Sequence, residues 1–343
     1  MNHKIFLSLA SWRDPFVINS IKSAIEKAKY PELLTFGVVF DGYEEDDWML
    51  EGIEQFDNVR LIKQDARSSS IYLCEVRGDI AMSLYDGEDY FFQSDCHVKF
   101  QKDWDVALRA ELALAKKVYG EKTILTSINS GFGQWAEDFI EAPFVCLPTQ
   151  EILDEFNPNP PVRGELVLRK MGSRIMIMER FFNAGMFFAT SDFVKTVTQP
   201  KQFSFMLEQP IMTLRTFSAG YNMITTTTNY VSNFDFNGQH WPVDDHVRHQ
   251  RSTDPLWEEA WREAHDKSLN LYKDVLNNNI VNEEYGMFPE RTVDDYVEFA
   301  GFDPRTMKMV REASLFEHPY LELTDEEWET LMLGMNNVLQ NIR

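Results

Sequence analysis

The chain has 343 residues, 44% of them hydrophobic, with 26 Phe, 12 Tyr and 8 Trp, which is enough for a packed core and excludes a disordered chain. Acidic residues outnumber basic ones 55 to 33, a net charge of −22, and a field of that sign repels phosphate backbones and anionic membranes, which argues against a broad face for duplex nucleic acid. Three scattered cysteines, Cys74, Cys96 and Cys146, make no disulfide framework, and no apolar run has the length of a bilayer span, so a cytoplasmic protein with no membrane partner is expected.

Residues 4–10 read as a first β-strand, its apolar stretch being shorter than the core of a secretory signal. Pro15 opens a helix with Val17, Ile18, Ile21, Ala24, Ile25 and Ala28 as its apolar positions. A second strand runs from Leu33 to Phe40 and ends at Asp41-Gly42, a third covers Asn58 to Gln64, and Ile71 to Tyr85 forms a second helix. Asp89 to Ser94 is the fourth strand, followed by a helix from Asp103 to Tyr119 and a strand from Lys122 to Ile128. This alternation predicts an α/β fold with a largely parallel sheet covered on both faces. Such sheets bind ligands at the carboxyl ends of their strands, where this chain places Ser11, Arg13, Asp41, Asp65 and Asp95-Cys96-His97. Neither a Gly-x-Gly-x-x-Gly after the first strand nor a P-loop is present, so dinucleotide and P-loop readings lose support.

In an extended segment residues i and i+2 share a side, so Asp95 and His97 reach one ion together while Cys96 faces away. A carboxylate and an imidazole suit Mn2+ better than Ca2+, and two protein ligands leave room for the oxygens of a diphosphate. A plain turn capped by Asp95 is the competing reading of the same residues. Arg13 and Arg77 are the arginines expected to bond phosphate.

Between Phe132 and Arg180 the periodicity fades into loops, the strongest break being Asn157-Pro158-Asn159-Pro160-Pro161. Phe181 to Ala189 reads as a strand whose Ala184-Gly185 either lets a sugar ring approach the backbone or allows close strand packing. Leu207-Glu208-Gln209-Pro210 opens a helix with Glu208 at its positive end. From Asn233 to Asp254 histidines crowd a loop, and a helical region from Asp254 to about Asn277 and further helices from Arg291 to Arg343 complete the chain.

The segments IFLSLASWRDP, QDARSSSIYLCEVRGDIAMSLYDGEDYFFQSDCHVKFQKDWD, FFNAGMFFATSDFV, MLEQPIMTLRTFSAGYNM and RTVDDYVEFAGFD resemble, in this order, the polypeptide N-acetylglucosaminyltransferases that modify hydroxyproline. The resemblance implies a GT-A (Rossmann-like) catalytic domain over residues 1–252, with a nucleotide-binding half, 1–130, an acceptor and sugar half, 131–252, and a helical C-terminal extension, 253–343. It implies a UDP-sugar donor, most simply UDP-GlcNAc, Mn2+ or Mg2+ on Asp95 and His97, and transfer with retention to a polypeptide hydroxyl. It also implies a third ligand at His249, with His246 in reserve, a phosphate contact at Arg251, and acceptor or sugar contacts at Glu208 and Gln209, where the family carries two acidic residues. The same donor chemistry on a modified nucleic-acid base or a glycan, and a nucleotide-sugar-binding protein without turnover, are the alternatives.

Overall fold

The computed structural model describes residues 3–65, 74–129, 144–157, 159–160, 165–168, 174–233 and 255–340. The first half contains β1 (Ile5–Trp12), α1 (Val17–Lys27), β2 (Leu34–Gly42), β3 (Val59–Asp65), α2 (Cys74–Ser83), β4 (Tyr90–Ser94), β5 (Val98–Phe100), α3 (Trp104–Tyr119) and β6 (Thr123–Thr126). After it come β7 (Phe144–Leu147), α4 (Gln150–Phe156), β8 (Glu165–Leu168), β9 (Arg174–Ile177), β10 (Met186–Thr190), α5 (Ser191–Thr196), α6 (Phe205–Ser218), β11 (Asn222–Ile224) and β12 (Val231–Asn233). The C-terminal part holds α7 (Pro255–Asn278), α8 (Val293–Ala300), β13 (Phe302–Asp303), β14 (Lys308–Met309), β15 (Tyr320–Leu323) and α9 (Asp325–Gln340).

Seven strands form the central sheet in the order β11-β6-β10-β4-β1-β2-β3. Neighbours pair in parallel except around β10, which runs antiparallel to both β4 and β6. This largely parallel sheet with helices on both faces is the α/β architecture expected. The strand sequences explain the order. β1 and β2 are apolar on both sides and sit inside, whereas β3 carries Arg60 and Lys63 among its apolar residues and forms the half-exposed edge.

Alternation divides the core. Ile5, Leu7, Leu9, Phe36, Val38 and Phe92 face a cluster that includes Val17 and Ile21 of α1 and Trp104, Leu108 and Leu112 of α3. Phe6, Phe91, Phe187 and Phe193 face a second cluster with Met212 of α6. Trp104 is fully buried, its ring against Phe92 and Phe100 and its Nε1–H donating to Ala24 O at 3.0 Å.

Three sequence expectations change. The run from Phe181 is a strand only from Met186, because the Phe182 and Asn183 N–H groups donate to the Thr213 and Thr126 hydroxyls instead of to a neighbouring strand. Pro210 lies inside α6, which already begins at Phe205 behind Ser204. The C-terminal part is not purely helical. β15 pairs antiparallel with β9, Trp328 of α9 is buried in the first cluster, and Arg174 lies 4.9 Å from the Trp328 ring centre. Among the described residues no helix is long and apolar enough to cross a membrane.

Trp104→Ala removes a fully buried indole on which two aromatic rings rest, so a loss of about 3–5 kcal/mol is expected, read as a lower midpoint in denaturant unfolding. A midpoint within experimental error of the native chain would show that the site collapses to fill the void.

Candidate functional site

The strand ends form one rim. Trp12 pairs with Asp41, Gly42 with Asp65, and Leu9 with Ser94, so the carboxyl ends of β1, β2, β3 and β4 lie side by side. Asp95 follows β4 directly, and its N–H donates to Gly185 O at 3.1 Å, next to the Met186–Ser94 pair of β10 and β4. A Cβ on Gly185 would stand 2.9 Å from Asp95 Oδ2 and 3.3 Å from Asn129 Nδ2. The Asp95 carboxylate and the Asn129 amide fill that space, which gives the close-packing reading of this glycine a physical basis. The Asn129 amide shares its two protons among Asp95 Oδ2 at 3.3 Å, Gly185 O at 3.0 Å and Asn233 Oδ1 at 3.0 Å.

His97 is set by the helix in front of it. Ser20 of α1 donates to Cys96 O at 3.0 Å and accepts from Val98 N–H at 2.8 Å, clasping the turn on both sides of His97. His97 Nδ1 lies 2.8 Å from Asp14 Oδ2, while Nε2 faces Asp95 Oδ2 at 4.0 Å. A carboxylate can only accept, so Nδ1 carries the proton, and in the neutral imidazole the Nε2 lone pair is the one that points toward Asp95. A carboxylate behind the imidazole in this way orients a metal-ligating histidine. Two ligand bonds of about 2.1 Å reach across at most about 4.2 Å, so a single divalent ion fits between Asp95 and His97.

Cys96 lies on the other side of the ring. The strand ends at Ser94, and the turn brings Cys96 Sγ to 4.0 Å from His97 Nδ1, away from the Nε2 edge that faces Asp95. Asp14, Cys96 and His97 form the group of metal-ligating side chains found among the described residues.

Arg13 meets a carboxylate. Its Nε and Nη2 contact Asp46 at 2.6 and 2.8 Å, and its guanidinium lies over the ring of half-buried Tyr43 at 4.4 Å, with Arg13 and Asp46 themselves buried. It is committed to fixing the turn, where its φ of 46° and its N–H bond to Asp41 O redirect the chain so that Asp14 meets His97. Ser11 and Asp41 are buried at their strand ends, and Asp65 is exposed at the end of β3. Arg77 falls in α2 with its side chain outside the described residues, as do His246, His249 and Arg251 entirely. Asn233, which leads into that last segment, pairs with Val98 beside His97.

Glu208 is buried near the start of α6. Gln199 Nε2 lies 3.4 Å from Glu208 Oε1 and 2.8 Å from Gln93 Oε1, and Gln93 donates to Ala184 O at 3.1 Å. This relay ties the carboxylate on α6 to the strand that ends at the rim. Gln209 is half-buried, and its carbonyl accepts from Thr213 Oγ1 at 2.7 Å.

Sequence reasoning did not single out Asp14, Asp46, Asn129, Gln93 or Gln199. The usable signal was position, since Asp14 and Asn129 each stand within three residues of a strand's carboxyl end. Gly185→Ala would push the Asp95 carboxylate aside, and a 10–100-fold fall in Mn2+ affinity, about the range for lost outer contacts at a metal ligand, is expected with an unchanged far-UV spectrum. Native Mn2+ affinity in that variant would show that Asp95 is not a ligand.

Among solved structures, S. aureus TarS 1–349 in complex with UDP-GlcNAc is 14% identical, with 78% of this chain and 72% of that one covered and a TM-score of 0.43. GalNAc-T7 with UDP, GalNAc and Mn2+ is 10% identical, with 80% of this chain and 57% of that one covered and a TM-score of 0.46. No curated protein matches the chain. The family model described as Glycosyltransferase (GlcNAc) matches residues 57–306, well over half of the sequence, and takes in Asp95, His97, Gly185 and Glu208. The chain belongs to this GlcNAc glycosyltransferase family.

Proposed function

We propose that the protein transfers N-acetylglucosamine from UDP-GlcNAc to a hydroxyl of a polypeptide, with retention, using Mn2+ or Mg2+ held by Asp95 and His97, in the cytoplasm. The observation that carries this reading is the approach of Asp95 Oδ2 to His97 Nε2 at the carboxyl rim of the sheet, in a chain of the GlcNAc glycosyltransferase family. A divalent ion there supplies Lewis-acid neutralisation of the charge that develops on the departing diphosphate.

The chain's own residues prepare the rest. Asn129 and the Gly185 carbonyl hold Asp95 in place, and Asp14 keeps the His97 lone pair on Nε2. Ser11, Asp41 and Asp65 are assigned to the nucleoside side of the rim, Arg77 and Arg251 to phosphate, and His249, or His246 in its place, to a third ligand position. Arg13 acts indirectly, by shaping the turn that aims Asp14. Glu208, steadied by Gln199, is assigned to a sugar hydroxyl or to acceptor orientation, with Gln209 beside it. Residues 1–252 form the catalytic unit in this reading, and 253–343 buttress it.

Calorimetry of UDP-GlcNAc in Mn2+ and in chelator tests the proposal. The native chain is expected to bind only with the ion, and at ligand near 100 times Kd to gain about 2.7 kcal/mol of stability. Asp95→Ala is expected to lose that binding with its unfolding midpoint in the ligand-free state kept. Equal donor binding in the variant and the native chain would sink the assignment.

A further inference from the structure

We infer that Asp14, Cys96 and His97 form a second cation site, for a thiophilic divalent ion such as Zn2+, which shares His97 with the Asp95 site and so excludes the ion held there. The three ligand atoms lie within 4.8 Å of one another. Cys96 Sγ stands 4.0 Å and Asp14 Oδ2 2.8 Å from the same imidazole nitrogen, Nδ1. Cys96 and Asp14 are 4% and 3% exposed, so water competes little for either.

Tetrahedral zinc with bonds of about 2.3 Å to sulfur and about 2.1 Å to nitrogen and oxygen spaces sulfur and nitrogen by about 3.6 Å, and nitrogen and oxygen by about 3.4 Å. Relative to Nδ1, Sγ has to move in, and Oδ2 out, by about half an ångström, and the sulfur–oxygen spacing, within 4.8 Å as it stands, has to settle at about 3.6 Å. A thiolate in the ligand set selects zinc over Mn2+ or Mg2+, and three protein ligands leave the fourth position to water.

Loading the site releases the Cys96 thiol proton to solvent, breaks the Asp14–His97 hydrogen bond, and transfers the imidazole proton from Nδ1 to Nε2 through solvent. A neutral imidazole has one lone pair, so His97 cannot then serve an ion beside Asp95. The exclusion rests on the proposed function; the cation site itself does not.

The test is titration of the full chain with Co2+ under a non-chelating reductant, together with Mn2+-dependent UDP-GlcNAc binding at rising Zn2+. A thiolate-to-Co2+ charge-transfer band saturating at one equivalent, and lost in Cys96→Ser, is expected. Zn2+ should suppress donor binding in the native chain, with about tenfold more required in Cys96→Ser. Absence of the band in the native chain, or the same band in Cys96→Ser, overturns the site. The band lost as expected with donor binding indifferent to Zn2+ overturns the exclusion. Should Cys96→Ser not fold, X-ray absorption of the Zn2+-loaded native chain decides: one sulfur at about 2.3 Å supports the site, and a shell without sulfur overturns it. Failure of the native chain to bind UDP-GlcNAc in Mn2+ would defeat the proposed function and leave the Co2+ result to judge the cation site.

Discussion

The reversed strand β10, placed between β4 and β6, is the constraint on which the site depends. Its pairing brings the Gly185 carbonyl under the Asp95 N–H and holds the carboxylate against a residue without a side chain. Its other edge pairs with β6, so Asn129, three residues beyond that strand, reaches the same carboxylate and the same carbonyl. An aspartate at the tip of a strand would otherwise swing in solvent. Here one peptide bond, one amide and the missing Cβ fix it, and the apolar clusters on both faces keep the strands from shifting.

His97 is fixed by a longer series of polar contacts. Asp46 grips Arg13, Arg13 shapes the turn after β1, the turn aims Asp14, and Asp14 sets the tautomer of His97. A buried ion pair such as Arg13–Asp46 repays its desolvation poorly as a source of stability. Its value here lies in geometry, since a turn with positive φ at a non-glycine residue needs surroundings that determine it. The same logic holds across the sheet, where Gln93 and Gln199 carry a buried contact from the rim strand to Glu208.

The central architecture was legible because it rests on local periodicity. The short, near-continuous apolar runs of β1, β2 and β4, and the helical spacing in α1 and α3, give element types and order directly. Asp95 and His97 were legible as a pair because they end such a strand. What was hidden depends on contacts between distant residues. Asp14 and His97 are 83 positions apart and Asp95 and Asn129 are 34 apart, and no local pattern records either meeting. The Arg13–Asp46 pair was hidden because a strand-end arginine looks alike whether it faces phosphate or a buried aspartate, and Pro210 was misplaced because α6 starts five residues before it. The pairing of β15 with β9 joins segments too far apart for spacing to reveal.

The central claim is that Asp95 and His97 share one ion at the rim where the donor diphosphate binds. Anomalous scattering from a crystal grown with Mn2+ and UDP tests it most directly. The account predicts one strong peak within about 2.2 Å of both Asp95 Oδ2 and His97 Nε2, with diphosphate oxygens completing its shell. A peak bound elsewhere, or UDP seated on the rim with neither side chain near an ion, would contradict it.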